Sequence, residues 1–537
     1  MIRRILAGFF LFFMVAALVH CARRGTPTGG PKDEQGPVLI KAEPENMTIN
    51  FKANRIRLYF DEYIKLEKLQ EQLIVSPPLK YLPEISPQGG TNKYVEIKIK
   101  DTLKENTTYT LNFGQSIVDN NEGNPSPFLT YVFSTGSYID SLEIQGVIKD
   151  AFNQKADEFV SVMLYEIDTA YTDSTIYKRP PNYITNTLDS TVIFTIKNIK
   201  EGRYALFGLK DEAKNNIFDQ NTDKIGFITD TINIPTDSIF LLNMFKEIPN
   251  YAMSVPSYAA KNKISFGYYG DISGVQIAPL SVIPDTVRTT LLKERDKDTI
   301  NYWFTPFEAD SILFTVTNER LKLIDTFNVK ARKVEFDSLR LQSNVSGSIG
   351  FNTAYQIMAN TPLTRLDSSK INIITFDSIA IDFKVTLDSL ENKVDFDFKT
   401  EPNQSYNVTL LPGAVTDFFG IENDSTNYNL STKSLADYGN LSLTIDGNVT
   451  YPIIVQLTNE KGEIQREIYA TEEQLFEFNA INPASYLLRV IFDTNANQKW
   501  DTGNLLQKIQ PERVVYYPGP IEMRANWEKI ETFTLTE

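Results

Sequence analysis

The chain has 537 residues, one histidine, one cysteine and a formal net charge of −15. The histidine is His20 and the cysteine is Cys21, so nothing downstream can form an imidazole-dependent triad or dyad, a zinc site built on His and Cys, or a disulfide within the chain. An acidic surface repels phosphate backbones, so nucleic acid is not expected as a partner, while solubility and divalent cations are favoured.

Met1-Ile2-Arg3-Arg4 precede an apolar run from Ile5 to Val19, and Cys21 follows. A basic start, a short apolar stretch and a processing site predict a secretory signal peptide over residues 1–20. The run is shorter than the about 20 residues that a membrane-spanning helix needs. Leu18-Val19-His20-Cys21 resembles a bacterial lipobox, in which the cysteine is acylated and becomes the first mature residue. His20 departs from the small residue usual at that position. Cys21 is therefore the expected lipidation site and the expected tether to a membrane. An uncleaved anchor and an ordinary signal peptide are the alternatives. Ala22 stands where lipoproteins retained at the inner membrane carry aspartate, which points to the outer membrane. Lys32-Asp33-Glu34 leaves its periplasmic and cell-surface faces both open. Residues 21–37, rich in Gly, Pro, Thr and charge, read as a lipidated flexible linker.

Beyond it, the length implies several domains. Ile56-Arg57-Leu58-Tyr59-Phe60, Tyr94-Val95-Glu96-Ile97-Lys98-Ile99 and Tyr109-Thr110-Leu111-Asn112-Phe113 alternate apolar and polar residues, the pattern of strands with one buried face. Asn, Asp, Gly and Pro clusters punctuate them at β-sandwich spacing. In Val75-Ser76-Pro77-Pro78 the prolines cannot donate to a ladder, so that strand ends there or lies at an edge. Lys65 to Leu73 is the best helical stretch. The chain also repeats itself. Tyr109, Asp119 and Ser134-Thr135 recur, in order and at similar spacing, as Tyr406, Asp417 and Ser431-Thr432. Tyr204 and Asp211 recur as Tyr486 and Asp493. This predicts a duplicated pair of modules around a spacer.

Cys21 to Lys32, Pro44-Glu45-Asn46, Phe60-Asp61-Glu62-Tyr63, Val75-Ser76-Pro77-Pro78-Leu79 and the run from Leu103 to Asn124 together resemble the Ig-like lipoproteins of Bacteroidota. So do Val132-Phe133-Ser134-Thr135-Gly136 and, near the end, Asp493 to Asn497, Trp500 to Asn504 and Gln510-Pro511-Glu512. The resemblance covers roughly the first 140 and the last 50 residues. It implies an all-β, multidomain chain of Ig-like and transthyretin-like sandwiches after a lipoprotein signal peptide. The expected domains are an Ig-like sandwich over 38–137, a transthyretin-like sandwich over 138–249, a β-rich spacer over 250–335, a second Ig-like sandwich over 336–437 and a second transthyretin-like sandwich over 438–537. It implies no reaction, since such folds host many functions.

Asp493, Asn495, Asn497 and Asp501 place oxygens at positions one, three, five and nine of an EF-hand-type calcium loop. Gln498 stands where glycine is usual, and Asn504 where the bidentate glutamate belongs. The first module keeps Asp211, Asn215 and Asp219, with Ala213 at position three. The alternative is an Asx-rich turn that satisfies its own backbone. Asp119 to Asn124 reads as a polar turn. Asp140-Ser141-Leu142, Asp237-Ser238-Ile239, Asp337-Ser338-Leu339 and Asp388-Ser389-Leu390 are similar to O-glycosylation sites of exported Bacteroidota proteins, or are turn chemistry at strand starts.

The expected function is that of a non-enzymatic, outer-membrane-anchored lipoprotein, an architectural or protein-binding subunit of an envelope complex. An outer-membrane protein is the expected partner, and family context implies an accessory role in outer-membrane protein assembly or secretion. A surface adhesin or glycan-binding protein is the alternative, although Trp303, Trp500 and Trp527 are sparse for a sugar binder. A hydrolase using carboxylates alone needs two acids facing each other in a cleft at about 5–10 Å.

Overall fold

The computed structural model describes residues 33–126, 128–187 and 191–535; the signal segment, His20 and Cys21 lie outside them. The fold is all-β, and the described residues fall into two compact units, one up to residue 141 with 198–200, the other 142–197 with those from 201 onward.

In the first unit, alternation does what the sequence predicts. Arg55–Leu66 buries Ile56, Leu58, Phe60 and Ile64, and Asn92–Lys98 buries Val95 and Ile97. These two strands pair antiparallel between Leu39–Glu43 and Glu84–Ser86. The facing sheet runs Ile74–Ser76, Thr108–Asn112, Thr130–Ser134. Its Tyr109, Leu111 and Phe133 close the core, with the Phe51 and Phe133 ring centroids 4.0 Å apart. Each such buried ring contributes about 1.5–3 kcal/mol. Ile74–Ser76 ends before Pro77 and is an edge strand, as its prolines require. The helical stretch is shorter than expected. Lys65 and Leu66 belong to a strand, and only Leu69–Gln72 is helical, because pairing of Ile64, Lys65 and Leu66 with Ile117–Asp119 outweighs local propensity.

Asp119 is buried and accepts backbone N–H groups from Asn121, Glu122, Gly123 and Asn124 at 2.6–3.1 Å. Burial pushes its carboxyl pKa up, but those donors outweigh burial and hold it below the ordinary carboxylate value. A depressed folded-state pKa contributes stability above the unfolded-state value, lost as pH falls through the folded one. Asp119→Ala is therefore expected to lower the unfolding temperature of the first sandwich at neutral pH. The gap should narrow as pH falls below the ordinary carboxylate range; a gap independent of pH overturns the assignment.

The second unit repeats this design. Strands Leu341–Ser343, Tyr355–Ala359, Lys393–Phe398 and Phe383–Asp388 form one sheet in the same order as the first sandwich. Ile371–Thr375, Ser405–Leu410 and Thr426–Ser431 form the facing one, with Gly347–Ser348 alongside. A shared corner explains the recurring tyrosine. The Tyr109 hydroxyl accepts Lys104 N–H at 2.9 Å, and Tyr406 accepts Glu401 N–H at 2.6 Å. Thr135 and Thr432 then tie the same turns, accepting from Thr107 N–H at 3.0 Å and from Gln404 N–H at 3.1 Å.

The segment before it also has this topology. Ala252–Met253 and Ser257–Ala260 pair with Lys263–Tyr269, which continues to Thr299–Phe304 and Thr289–Lys293. Val275–Pro279, Ser311–Asn318 and Leu323–Lys330 form the opposing sheet, and Ile264, Phe266, Tyr302, Phe304, Ile312 and Phe314 fill the space between. The sequence hid this copy because Ile312 stands where the other two have the corner tyrosine. A tight hairpin from Asn318 to Leu323 also replaces the loop that carries Asp119 and Asp417.

Two smaller sandwiches complete the unit. In one, Tyr183–Asn186, Ser161–Glu166, Gly202–Lys210 and Lys224–Phe227 form a sheet, and Ile239–Met244 runs parallel to Leu142–Asp150. In the other, Ile464–Ala470, Ile453–Thr458, Ala484–Phe492 and Val514–Tyr516 take the same order, and Glu528–Leu535 runs parallel to Gly439–Gly447.

Candidate functional site

The residues spaced for calcium meet in one loop of the last sandwich, and the first small sandwich holds its counterpart. Asp493 is fully buried; its Oδ1 accepts Asn497 N–H at 3.1 Å and its Oδ2 accepts Gln498 N–H at 2.8 Å. The loop turns through left-handed backbone at Ala496 and Gln498, φ 59° and 63°. In the twin, Asp211 Oδ2 accepts Asn216 N–H at 2.6 Å, and Lys214 and Asn216 have φ 54° and 58°. The backbone path is the same at equivalent positions.

Each loop is closed by a second buried carboxylate to which the sequence alone assigns no such role. Glu512 accepts Thr494 N–H at 2.6 Å on Oε1 and Asp501 N–H at 3.0 Å on Oε2. Asp223 accepts Glu212 N–H at 3.1 Å on Oδ1 and Asp219 N–H at 2.9 Å on Oδ2. Both clamp the residue after the leading aspartate and the one eight after it. Their distances along the chain from those aspartates differ, so no fixed spacing marks them. Asn495 and Asn497 each donate a carboxamide N–H to Asp501 Oδ2, the latter at 2.7 Å. Among the described residues, no group of three or more His, Cys, Asp or Glu side chains is arranged to hold a metal ion.

Burial pushes the Asp211 carboxyl pKa up; Asn216 N–H counters this and the Asp223 charge adds to it. An acid with a raised folded-state pKa favours folding most in its protonated form, and that stabilisation is lost as pH rises through the folded value. Asp211→Asn is therefore expected to raise the unfolding temperature at neutral pH. The advantage should vanish below the ordinary carboxylate range. A lower unfolding temperature at neutral pH overturns this account.

The loop after Asp493 also docks the last sandwich onto the first small one. Trp500 donates Nε1–H to Glu512 O at 3.0 Å, and its ring lies 4.6 Å from that of Phe152. The guanidinium of buried Arg489 sits 4.1 Å from the Phe152 ring centroid. Arg489 Nε–H donates to Gln456 Oε1 at 2.6 Å, and Tyr516 OH donates to Phe152 O at 2.9 Å. Further along, Thr502 OH donates to Lys246 O at 2.7 Å and Gln510 Nε2–H to Phe227 O at 2.9 Å. Buried Glu247 accepts Leu505 N–H and, at 2.6 Å, Gln220 Nε2–H. Gly503 permits this approach, since a Cβ there would stand 2.6 Å from the Phe245 ring and 2.7 Å from Ile509 O. The Lys508–Asp173 ion pair at 3.5 Å is exposed and adds little. The second unit therefore closes on itself through segments far apart in sequence.

Residues 33–135 match the family model described as bacterial Ig-like domain. No curated protein is similar to this chain. Among solved structures, domains 1–6 of the surface-layer protein SbsC align at 12% identity over 91% of this chain and 67% of that one, with TM-score 0.15. BcpA, the major pilin subunit of Bacillus cereus, aligns at 10% identity over 74% and 99%, with TM-score 0.14. SGBP-B of the Bacteroides ovatus mixed-linkage glucan utilization locus aligns at 10% identity over 72% and 92%, with TM-score 0.16. This chain spans about two thirds of the length of the surface-layer structure. At such scores these likenesses carry no functional argument. Together, the strand order and the family match show an all-β chain whose residues 33–135 are similar to a bacterial Ig-like domain.

Proposed function

We propose that the protein is a non-enzymatic lipoprotein, anchored to the outer membrane through an acyl group on Cys21, that serves as an architectural or protein-binding subunit of an envelope complex. The observation that supports this reading is the docking of the last sandwich on the first small one through Arg489, Phe152, Trp500 and Glu247. A body ordered in advance presents a fixed surface and loses little conformational freedom on binding a partner. Trp303 is buried and Trp500 is stacked within this body, which commits two of the three tryptophans to packing. The partner is an outer-membrane protein, and the finer role is accessory to outer-membrane protein assembly or secretion. Affinity capture of the tagged, membrane-extracted protein from its native host tests this. Stoichiometric recovery of an outer-membrane barrel protein supports it, and recovery of the lipoprotein alone overturns it.

Calcium at Asp493, Asn495, Asn497 and Asp501 has its own test. Rotating the Asn495 and Asn497 carboxamides would turn oxygens, in place of nitrogens, toward Asp501 and give the hard-oxygen set that calcium takes. Added calcium is then expected to raise the unfolding temperature, and Asp501→Ala to abolish the rise. Identical unfolding in calcium and in chelator overturns calcium binding.

A further inference from the structure

The second Ig-like sandwich carries a groove of about 470 Å³ that its twin gives no reason to expect. Its floor is the outer face of the sheet formed by Phe383–Asp388 and Lys393–Phe398, where Lys384 stands opposite Asp397 and Thr386 opposite Asp395. Its wall is the segment from Ile349 to Ala354, one residue longer between equivalent core positions than the segment from Phe51 to Arg55 in the first sandwich. Phe351 is held in the wall by a ring contact with Tyr438 at 5.5 Å. Phe398, also lining the groove, is held by Tyr406 at 5.6 Å.

The two sandwiches differ in how this outer face is satisfied. In the first, Glu96 is paired with Arg57 at 2.8 Å and Lys98 at 3.4 Å, and Glu84 with Lys100 at 2.5 Å. In the second, Gln356 Nε2–H donates to Asp395 at 2.7 Å. The side chains of Asp397, Lys384 and Thr386 make no hydrogen bond or ion pair with any described residue. The fold therefore tolerates paired carboxylates on this face and leaves the second one with a carboxylate, an ammonium and a hydroxyl that have no side-chain partner among the described residues, in a groove that Phe351 and Phe398 also line.

We propose that this groove binds a neutral glycan. Closely spaced acceptors and donors suit vicinal hydroxyls, which both give and accept hydrogen bonds, and the rings of Phe351 and Phe398 supply apolar surface for the C–H groups of sugar rings. The volume lies within the range of ligand sites. A net charge of −15 disfavours polyanionic glycans. The site shares no residue with Cys21 or with the docked loop after Asp493, so it can fail while the architectural reading holds.

The test is native gel electrophoresis of the soluble chain, without its signal and linker, through gels containing β-glucan, xylan or mannan. Slowed migration in at least one of these is expected. Asp397→Ala and Lys384→Ala should each weaken binding about tenfold or more, the loss of one hydrogen bond to a charged group. Their unfolding temperatures should match the parent's, because neither side chain has an intramolecular partner among the described residues. Unchanged migration of the parent in all three gels overturns the proposal, as does slowed migration that both variants retain.

Discussion

Arg489→Ala is expected to destabilise the last sandwich by roughly 3–4 kcal/mol, the largest effect of any single substitution considered for this chain. Arg489 is 1% exposed, yet it makes no ion pair with a carboxylate among the described residues. Its charge is held by Gln456 Oε1 at 2.6 Å, by Tyr516 OH at 3.2 Å and by the Phe152 ring at 4.1 Å. Truncation removes all three at once and leaves a cavity where the two small sandwiches meet. Arg489→Lys keeps the charge but not the planar fork that spans Gln456 and Tyr516, so it should recover less than half of the loss. Denaturant unfolding followed by tryptophan fluorescence reads this, since Trp500 packs on the same Phe152 ring. A loss below about 1 kcal/mol for the alanine variant would show that Arg489 does not hold the contact.

Glu247→Ala is expected to cost about 2 kcal/mol and to loosen the same contact from its other end. Glu247 is 3% exposed and takes N–H groups from Leu505 and Gln220, joining the end of the first small sandwich to the loop of the last. Without it, Leu505 N–H is left buried without an acceptor, and Gln220, which also accepts Asn250 N–H at 3.0 Å, loses its orientation. Glu247→Gln keeps an acceptor oxygen for Leu505 and should cost less. Amide hydrogen exchange at Leu505 is the direct readout. Faster exchange in the alanine variant is expected, and unchanged exchange there removes Glu247 from the contact.

Both substitutions fall on residues that no periodicity marks. Arg489 sits at an ordinary position of Ala484–Phe492, and Glu247 is one of 68 acidic residues. Their importance comes in part from Phe152 and Leu505, which lie opposite them and more than two hundred residues away along the chain. Asp223 and Glu512 were missed for a related reason. They close equivalent loops from different distances along the chain, so only the folded backbone makes them equivalent.

What the sequence determined by itself is local. Alternation in Arg55–Leu66, Asn92–Lys98 and Thr108–Asn112 decides strand and face, because a one-residue slip would turn every apolar side chain to water. The recurring Tyr109 and Tyr406 mark a corner bond made within five residues, and Asp493 to Asp501 come together because the loop between them is short. The tertiary structure alone decided three other things. It made residues 252–330 a third copy of the Ig-like strand order, which rests on the pairing of strands rather than on any shared side chain. It brought Phe152 to Trp500 and Glu247 to Leu505. It left the Asp397 side chain without, among the described residues, the partner that the counterpart sheet supplies to Glu96 and Glu84. Hydrophobic periodicity encodes which side of a strand is buried; it carries no information about which distant strand or loop will cover it.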